Sequence, residues 1–502
     1  MVSKHINSVV IVGGGTAGWM TAASLSKAFA HLPISFLLVE FPTIGTVGVG
    51  EATIPTIREF YQKLGMHDID VMRATNATCK LGIEFQNWNS IGSSFFHPFA
   101  LYGQSVRGVP FHHYCMKLRA SGYKADISEF SLGVQLAKSG KFTFPSENPP
   151  STMSVFDWAL HFDAALFADY LKDFSIKNGV KHVADKVVSV NLRADDGFIE
   201  SLSLERGEKI NGDLFIDCSG FQGLLIEGAL KTGYEDWSQW LLCDRAVAVQ
   251  SESHEIPLPY TVSIAEKAGW RWKIPLQHRA GNGHVYSSNH ISDDEATDCL
   301  VKNIDGKLLN NPRIIKFTPG RRKKAWNKNC IAVGLSSGFL EPLESTSIAL
   351  IELAIDKIRL FFPDMSFNED VVTEFNYRTQ VEYERVRDFV IFHYKASNRT
   401  DSEFWTYCRA MSVPDELSYK NRLFKSRGHL VKYPHEIFQA SSWTSIYNGY
   451  NYLPDNYDPQ ADYFSNAYLL NVFEEMRASV KSTVEQSQSH NEFLNYISGI
   501  DP

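Results

Sequence analysis

An α/β fold organised around a parallel sheet is what this chain of 502 residues predicts, and three observations lead to it. A short apolar run at residues 9–12 passes directly into a glycine-rich turn, a helical stripe and a second apolar run that ends in Glu40. A third run, Leu214-Phe215-Ile216-Asp217, closes the same way, with an acid and then Gly220. Beyond Pro363 the pattern turns helical, so the chain divides into a sheet-centred module at 1–362 and a mainly helical region at 363–502 that caps it.

Val9-Val10-Ile11-Val12 has the unbroken apolar character of a parallel strand covered on both faces. Gly13-Gly14-Gly15-Thr16-Ala17-Gly18 supplies Gly-x-Gly-x-x-Gly, and Trp19, Met20, Ala22, Ala23 and Leu25 continue as a helical stripe. Pro33 closes that connection, a strand follows at 34–39, and Glu40 stands about twenty residues past the glycines. These are the parts of a Rossmann-like dinucleotide-binding unit. The glycines admit a pyrophosphate to the helix start, and Glu40 accepts hydrogen bonds from an adenosine ribose. The unit alone does not separate flavin from nicotinamide. Two later stretches favour FAD: the loop Gly45-Thr46-Val47-Gly48-Val49-Gly50-Glu51-Ala52, and the strand ending Asp217-Cys218-Ser219-Gly220. Both fit one extended cofactor threading several segments, although each taken separately also fits an ordinary tight turn.

Lys80 opens an alternating run in which Leu81, Ile83 and Phe85 share one face and Lys80 lies opposite with Gly82 and Glu84, where a lysine is usually solvated. Phe95-Phe96-His97-Pro98-Phe99 is an aromatic cluster suited to a core or to a flat ligand. Residues 156–174 read as an amphipathic helix, 186–190 as a strand, and 257–288 as antiparallel strands of a substrate-side sheet, with Trp270 and Trp272 on one face. A buried strand at 330–335 feeds Gly338-Phe339-Leu340-Glu341-Pro342-Leu343-Glu344-Ser345-Thr346-Ser347-Ile348, a turn onto an apolar helix that Pro363 stops. Ser345 or Thr346 is its N-cap. Backbone amides near Thr346 and Ser347 are placed to hold a small anion, and Glu344 stands beside them as a reaction-centre carboxylate or as a dipole complement. Residues 371–392 are helical, and 480–492 read as an exposed terminal helix.

With 44% apolar residues the chain can bury large cores, and its net charge of -8 gives no footprint for nucleic acid. The run Arg321-Arg322-Lys323-Lys324 reads as a solvated face. No stretch spans a membrane, and the first strand starts too early to leave room for a signal peptide, which points to the cytoplasm. The seven cysteines are dispersed and never in Cys-x-x-Cys, so neither a disulfide framework nor a metal site is expected.

Four elements in order, Gly13-Gly14-Gly15-Thr16-Ala17-Gly18-Trp19-Met20, Gly48-Val49-Gly50-Glu51-Ala52-Thr53, Trp270-x-Trp272-x-Ile274-Pro275 and Phe339-Leu340-Glu341-Pro342-Leu343-Glu344-Ser345-Thr346, closely resemble the flavin-dependent tryptophan halogenases. The resemblance implies a GR2-type, flavin-monooxygenase-like FAD module with an inserted antiparallel sheet and a helical C-terminal cap. It implies that FADH2, O2 and a halide, chloride or bromide, yield hypohalous acid, which travels through a tunnel to Lys80; the lysine either hydrogen-bonds it or forms a haloamine, directing the halogen onto an aromatic carbon. Glu344 then stabilises the ring cation or takes its proton, and Ser345 orients it. Thr346 and Ser347 match the halide site, while Gly48, Ala52, Val187, Leu335 and Ile348 match flavin neighbours. Trp270 and Trp272 match the pair that keeps substrate from the flavin, and His97, Phe99 and Phe438 match substrate positions.

Two departures bear on specificity. Ser347 stands where the family carries glycine, giving the halide pocket a side chain. Between Lys425 and Trp443 there is no counterpart of the Tyr-Tyr and Glu segment that clamps an amino-acid group, only the shorter Tyr433-Pro434-His435-Glu436-Ile437-Phe438. A simpler indole or another electron-rich aromatic is therefore favoured over free tryptophan. No second nucleotide fingerprint is present, so a separate reductase is expected to supply FADH2 to a monomer or homodimer. An aromatic hydroxylase (a flavin-dependent monooxygenase) and a non-catalytic flavin-binding protein are the alternative readings. The halogenase reading requires Lys80 and Glu344 to share a cavity walled off from the isoalloxazine but joined to it by a passage.

Overall fold

The computed structural model describes residues 5–41, 50–124 and 126–499. The chain forms two compact units: Met1–Asn76, Phe162–Asp244 and Lys316–Glu384 make the first, and Ala77–His161, Arg245–Ile315 and Arg385–Pro502 the second. The sequence suggests one division, at residue 362, whereas these units interleave, and the helix Glu369–Lys395 carries the chain from the first to the second.

The first unit is built on a six-stranded sheet in the order Trp326–Asn327, Cys330–Ala332, Leu214–Asp217, Ser8–Val12, Ser35–Glu40, Lys181–Ala184. Every pairing is parallel except the first. Val9 to Val12 are all buried, as a strand covered on both faces requires. The helix Thr16–Ala28 makes the crossover to Ser35–Glu40 and packs against the helices Ala164–Lys177 and Ser347–Leu360. On another side an antiparallel meander, Val187–Leu192, Ile199–Leu204 and Lys209–Asn211, closes an apolar cluster that includes Val10, Val12, Val39, Leu202 and Phe215.

The second unit holds a seven-stranded sheet in the order Arg313–Lys316, Arg245–Ser251, Ala280–Tyr286, Gly269–Pro275, Thr261–Glu266, Gly82–Gln86, Ser94–Pro98. From Arg245–Ser251 onward its pairings are antiparallel apart from Thr261–Glu266 with Gly82–Gln86, a parallel pairing that the long stretch of chain between the two strands allows. Helices including Phe111–Ala120, Asp415–Arg427, Ala440–Gly449, Asn466–Gln486 and His490–Ser498 complete it. Among the described residues no helix is long and apolar enough to cross a membrane.

Several elements differ from the sequence reading. Residues 156–174 are not one helix: Ala159–Asp163 is a strand, and the Asp163 carboxylate caps the helix that follows by accepting from the amides of Ala165 and Leu166. Arg321 and Arg322 are buried rather than solvated, with Glu235 and Glu227 at 2.6 and 2.9 Å neutralising them. The stretch 330–335 is strand only at Cys330–Ala332 before a 3-10 turn carries Leu335. Nor is the C-terminus one exposed helix. Asn466–Gln486 ends, His490–Ser498 begins, and Val480, Val484 and His490 are buried.

Candidate active site

In the first unit the glycines of the opening turn are fixed by what a side chain would strike. A Cβ on Gly13, whose φ is +117°, would lie 2.2 Å from the Cys218 carbonyl oxygen, and one on Gly18 would lie 1.8 Å from that of Gly13. On Gly14 it would fall 1.5 Å from Glu40 Oε2. Gly15 differs, because a Cβ there meets nothing within 4 Å. Gly15 is also the N-cap of the helix that Thr16 and Ala17 begin, with no side chain capping it. Backbone donors facing open space at a helix start suit a pyrophosphate. Glu40 Oε1 accepts from Lys172 Nζ at 3.0 Å and stands 2.7 Å from His182 Nε2, so the acid expected at the ribose is held in place from behind. The donor set and the glycine cradle fit a flavin dinucleotide. By contrast Asp217, at the second strand end, is consumed structurally: its carboxylate accepts from the amides of Ser219, Leu225 and Ile226.

Ala52 lies in the strand Gly50–Ala52, and Val187 opens the meander. Gly48 falls outside the described residues. Gly334, with φ +71°, allows the turn bearing Leu335 to close on the dinucleotide helix: a Cβ there would sit 2.9 Å from the Ala17 methyl and 3.4 Å from Ile351. Ala17, Leu335 and the helix carrying Ile348 thus meet in one unit. At the start of that helix Pro342–Glu344 forms a 3-10 turn, Ser345 takes the left-handed conformation at φ 58°, and Thr346 is the N-cap without a side-chain cap bond. Glu344, Ser345 and Thr346 are all buried. The first amides of Ser347–Leu360 therefore open beside a buried carboxylate.

In the second unit Lys80 departs from the solvated lysine that alternation suggests. The strand breaks at Leu81, whose amide donates to Pro259 O and whose carbonyl accepts from Phe99 N. Thr78–Lys80 is thus a separate strand, paired with His161, Leu160 and Ala159, and Lys80 is 0% exposed. Its Nζ stands 5.2 Å from the centroid of the Phe99 ring, a contact worth ~2 kcal/mol when desolvated. Gly82 permits this crowding, since a Cβ there would meet the His97 carbonyl oxygen at 2.4 Å.

Two histidines, neither anticipated from sequence, accompany that strand. Thr78 Oγ1 donates to Pro275 O, so His161 Nδ1, 3.0 Å away, must donate to it, leaving Nε2 to accept from Thr261 Oγ1 at 2.9 Å. His490 Nδ1 donates to Pro257 O at 2.7 Å, and its Nε2 accepts from the Cys79 amide at 3.2 Å. Both imidazoles are therefore neutral. Burial, then Lys80, then His490 hold His161 well below the usual histidine range, and burial lowers His490 to about 4. An N-capping Asp163 just before an apolar helical run was the signal for the strand that bears His161. The Ser489-x-x-Glu492 capping box marks the helix that bears His490.

The aromatic residues expected at the substrate site cluster in the same unit. His97 lies 5.6 Å from Phe389 and 6.1 Å from Phe438, and Phe438 stacks on Phe389 at 3.8 Å. Trp270 and Trp272 are buried neighbours 5.9 Å apart, and the Trp272 ring lies against Gly283, its cross-strand partner. Nearby in sequence, Glu436 is fully engaged. It pairs with Lys420, accepts from Trp443 Nε1 at 2.7 Å and takes the Tyr433 amide at 3.0 Å. Glu344 and Lys80 belong to different units.

Comparison with known proteins gives a consistent result. A family model described as tryptophan halogenase matches residues 8–466. Tryptophan 6-halogenase ThaL of Streptomyces albogriseolus is 35% identical, with 99% of this chain and 100% of that protein covered. Among solved structures, BrvH, a flavin-dependent halogenase from Brevundimonas sp. BAL3, is 52% identical with a TM-score of 0.96, covering 99% of this chain and 100% of its own. Xcc4156, a flavin-dependent halogenase from Xanthomonas campestris, is 40% identical with a TM-score of 0.94, covering 98% of each chain.

Proposed function

The chain belongs to the tryptophan halogenase family, and from that premise we propose how its residues divide the work of a flavin-dependent halogenase. With reduced FAD bound, the flavin supplies two electrons to O2 and so the oxidising oxygen that turns chloride or bromide into hypohalous acid. Gly13, Gly14, Gly15, Thr16, Ala17 and Gly18 receive the pyrophosphate and Glu40 the ribose. Gly48, Ala52, Val187, Leu335 and Ile348 border the remainder. The amides of Thr346 and Ser347 hold the halide, and Trp270 and Trp272 keep the organic substrate away from the flavin.

Lys80 donates a hydrogen bond to the oxygen of hypohalous acid. As the halogen bonds to an aromatic carbon, the oxygen–halogen bond breaks and the departing oxygen takes a proton from the Lys80 ammonium to leave as water. Glu344, oriented by Ser345, stabilises the ring cation and accepts the proton displaced from carbon. The observation that carries this reading is the complete burial of Lys80 against Phe99. Burying a cation is costly unless surrounding groups compensate it, and the Phe99 ring face is one such group.

The substrate is an electron-rich aromatic such as indole, received by His97, Phe99 and Phe438. Glu436 supports this choice: already committed to Lys420 and Trp443, it has no charge to spare for an amino-acid ammonium. The protein works in the cytoplasm as a monomer or homodimer, and a separate reductase supplies its FADH2; oxidation of NADH by this protein alone would contradict that. The test is Lys80→Ala given bromide, FADH2 and indole, read by isotope pattern. Brominated product is expected to fall by about 10²–10³-fold while FADH2 is still oxidised. Retained bromination would remove Lys80 from the reaction.

A further inference from the structure

We infer that His490, on the last helix of the chain, is a positioning residue for Lys80, acting through the backbone of the strand Thr78–Lys80; this rests on the role of Lys80 proposed above. Among the described residues that strand is paired with Ala159–Asp163 alone, so an amide on its other side needs an acceptor from outside the ladder. His490 supplies one. Its Nε2 takes the Cys79 amide at 3.2 Å, one residue before Lys80 and 411 residues away in sequence, while Nδ1 is anchored on Pro257 O.

The helix His490–Ser498 is built to hold that ring still. Ser489 and Glu492 form a capping box at its start. The His490 amide donates to Gly140 O at 2.9 Å, and Phe493 packs on Phe142 with centroids 4.6 Å apart. At the far end Ser498 Oγ donates to Gln277 Oε1 at 2.9 Å, and Gln277 Nε2 donates to Ala77 O at 2.6 Å. One helix thus reaches both Ala77 and Cys79, and His161 takes the Thr78 side chain between them. These three residues fix where the Lys80 side chain leaves the backbone. The family model ends at residue 466, so this helix lies beyond it. A misplacement of about 1 Å in a reacting group can cost on the order of 10²-fold, which gives such a latch its value.

The test uses the full-length protein with bromide, indole and reductase-supplied FADH2. It reads brominated indole per FADH2 oxidised, together with amide hydrogen exchange in the peptide containing Cys79. For His490→Leu the product ratio is expected to fall at least tenfold and exchange at Cys79 to accelerate. His490→Gln, which offers both a donor and an acceptor, should recover part of each. Where His490→Leu does not fold, His490→Phe, which retains a ring against Phe142, takes its place with the same expectation. A wild-type product ratio in either folded variant overturns the inference. Bromination surviving in Lys80→Ala instead overturns the role of Lys80 beneath it, and the two failures are distinguished because they appear in different proteins.

Discussion

Single residues in this chain are constrained most tightly where a backbone must approach something. Gly14 is such a position, since any side chain there would enter the space of the Glu40 carboxylate. Gly14→Ala is therefore expected to weaken FAD binding at least tenfold by displacing the acid meant for the ribose, as measured by quenching of flavin fluorescence on titration; unchanged affinity would dissociate Glu40 from the cofactor. Charge imposes a similar constraint at Lys357, buried with Glu382 as its ion-pair partner. Burial lowers the Lys357 pKa, and Glu382 offsets only part of that. Removing one partner of a buried pair strands the other, so Glu382→Ala should cost about 3–5 kcal/mol in urea unfolding.

At the scale of elements, the helix Ser347–Leu360 joins two demands, an open amide end and a packed flank. Glu352 lies on that flank, its carboxyl raised from 4.5 to about 8 chiefly by burial, with Thr56 opposing the shift. The folded protein therefore keeps a proton that the unfolded chain releases. This contribution to stability is complete below the ordinary carboxyl value and is lost as pH rises toward 8, on the order of 5 kcal/mol across the window. Glu352→Gln should flatten the fall in stability over that range, as followed by thermal unfolding at several pH values; an identical profile would place the titration elsewhere. This helix was legible in the sequence because its apolar residues recur with helical spacing, as was the βαβ unit because its glycines and acid keep fixed distances. The environment of Lys80 was not. One break at Leu81 removes Lys80 from the alternation of its neighbours, and His161 sat in a stretch whose apolar content fits either a strand or the helix that follows. His490 could not be anticipated at all, because its partner is set by tertiary packing rather than by any local period.

For the molecule as a whole, interleaving means that no cut near residue 362 leaves either unit intact. Asn376 bonds both backbone groups of Trp326, at 2.8 and 2.9 Å, and Phe375 packs on the same ring. A fragment of residues 1–362 loses these together with Glu382, and is expected to lack a cooperative thermal transition by circular dichroism; a sharp transition would show that the sheet-centred segment folds alone. The function proposed above, in which hypohalous acid is made inside the protein, demands that the protein also outlive it. Imidazole reacts with such oxidants through an unshielded nitrogen lone pair, and in His161 and His490 that pair is already occupied by a hydroxyl and by a peptide N–H. The arrangement that keeps these rings uncharged thereby leaves neither of them an open lone pair for an electrophilic oxidant to attack.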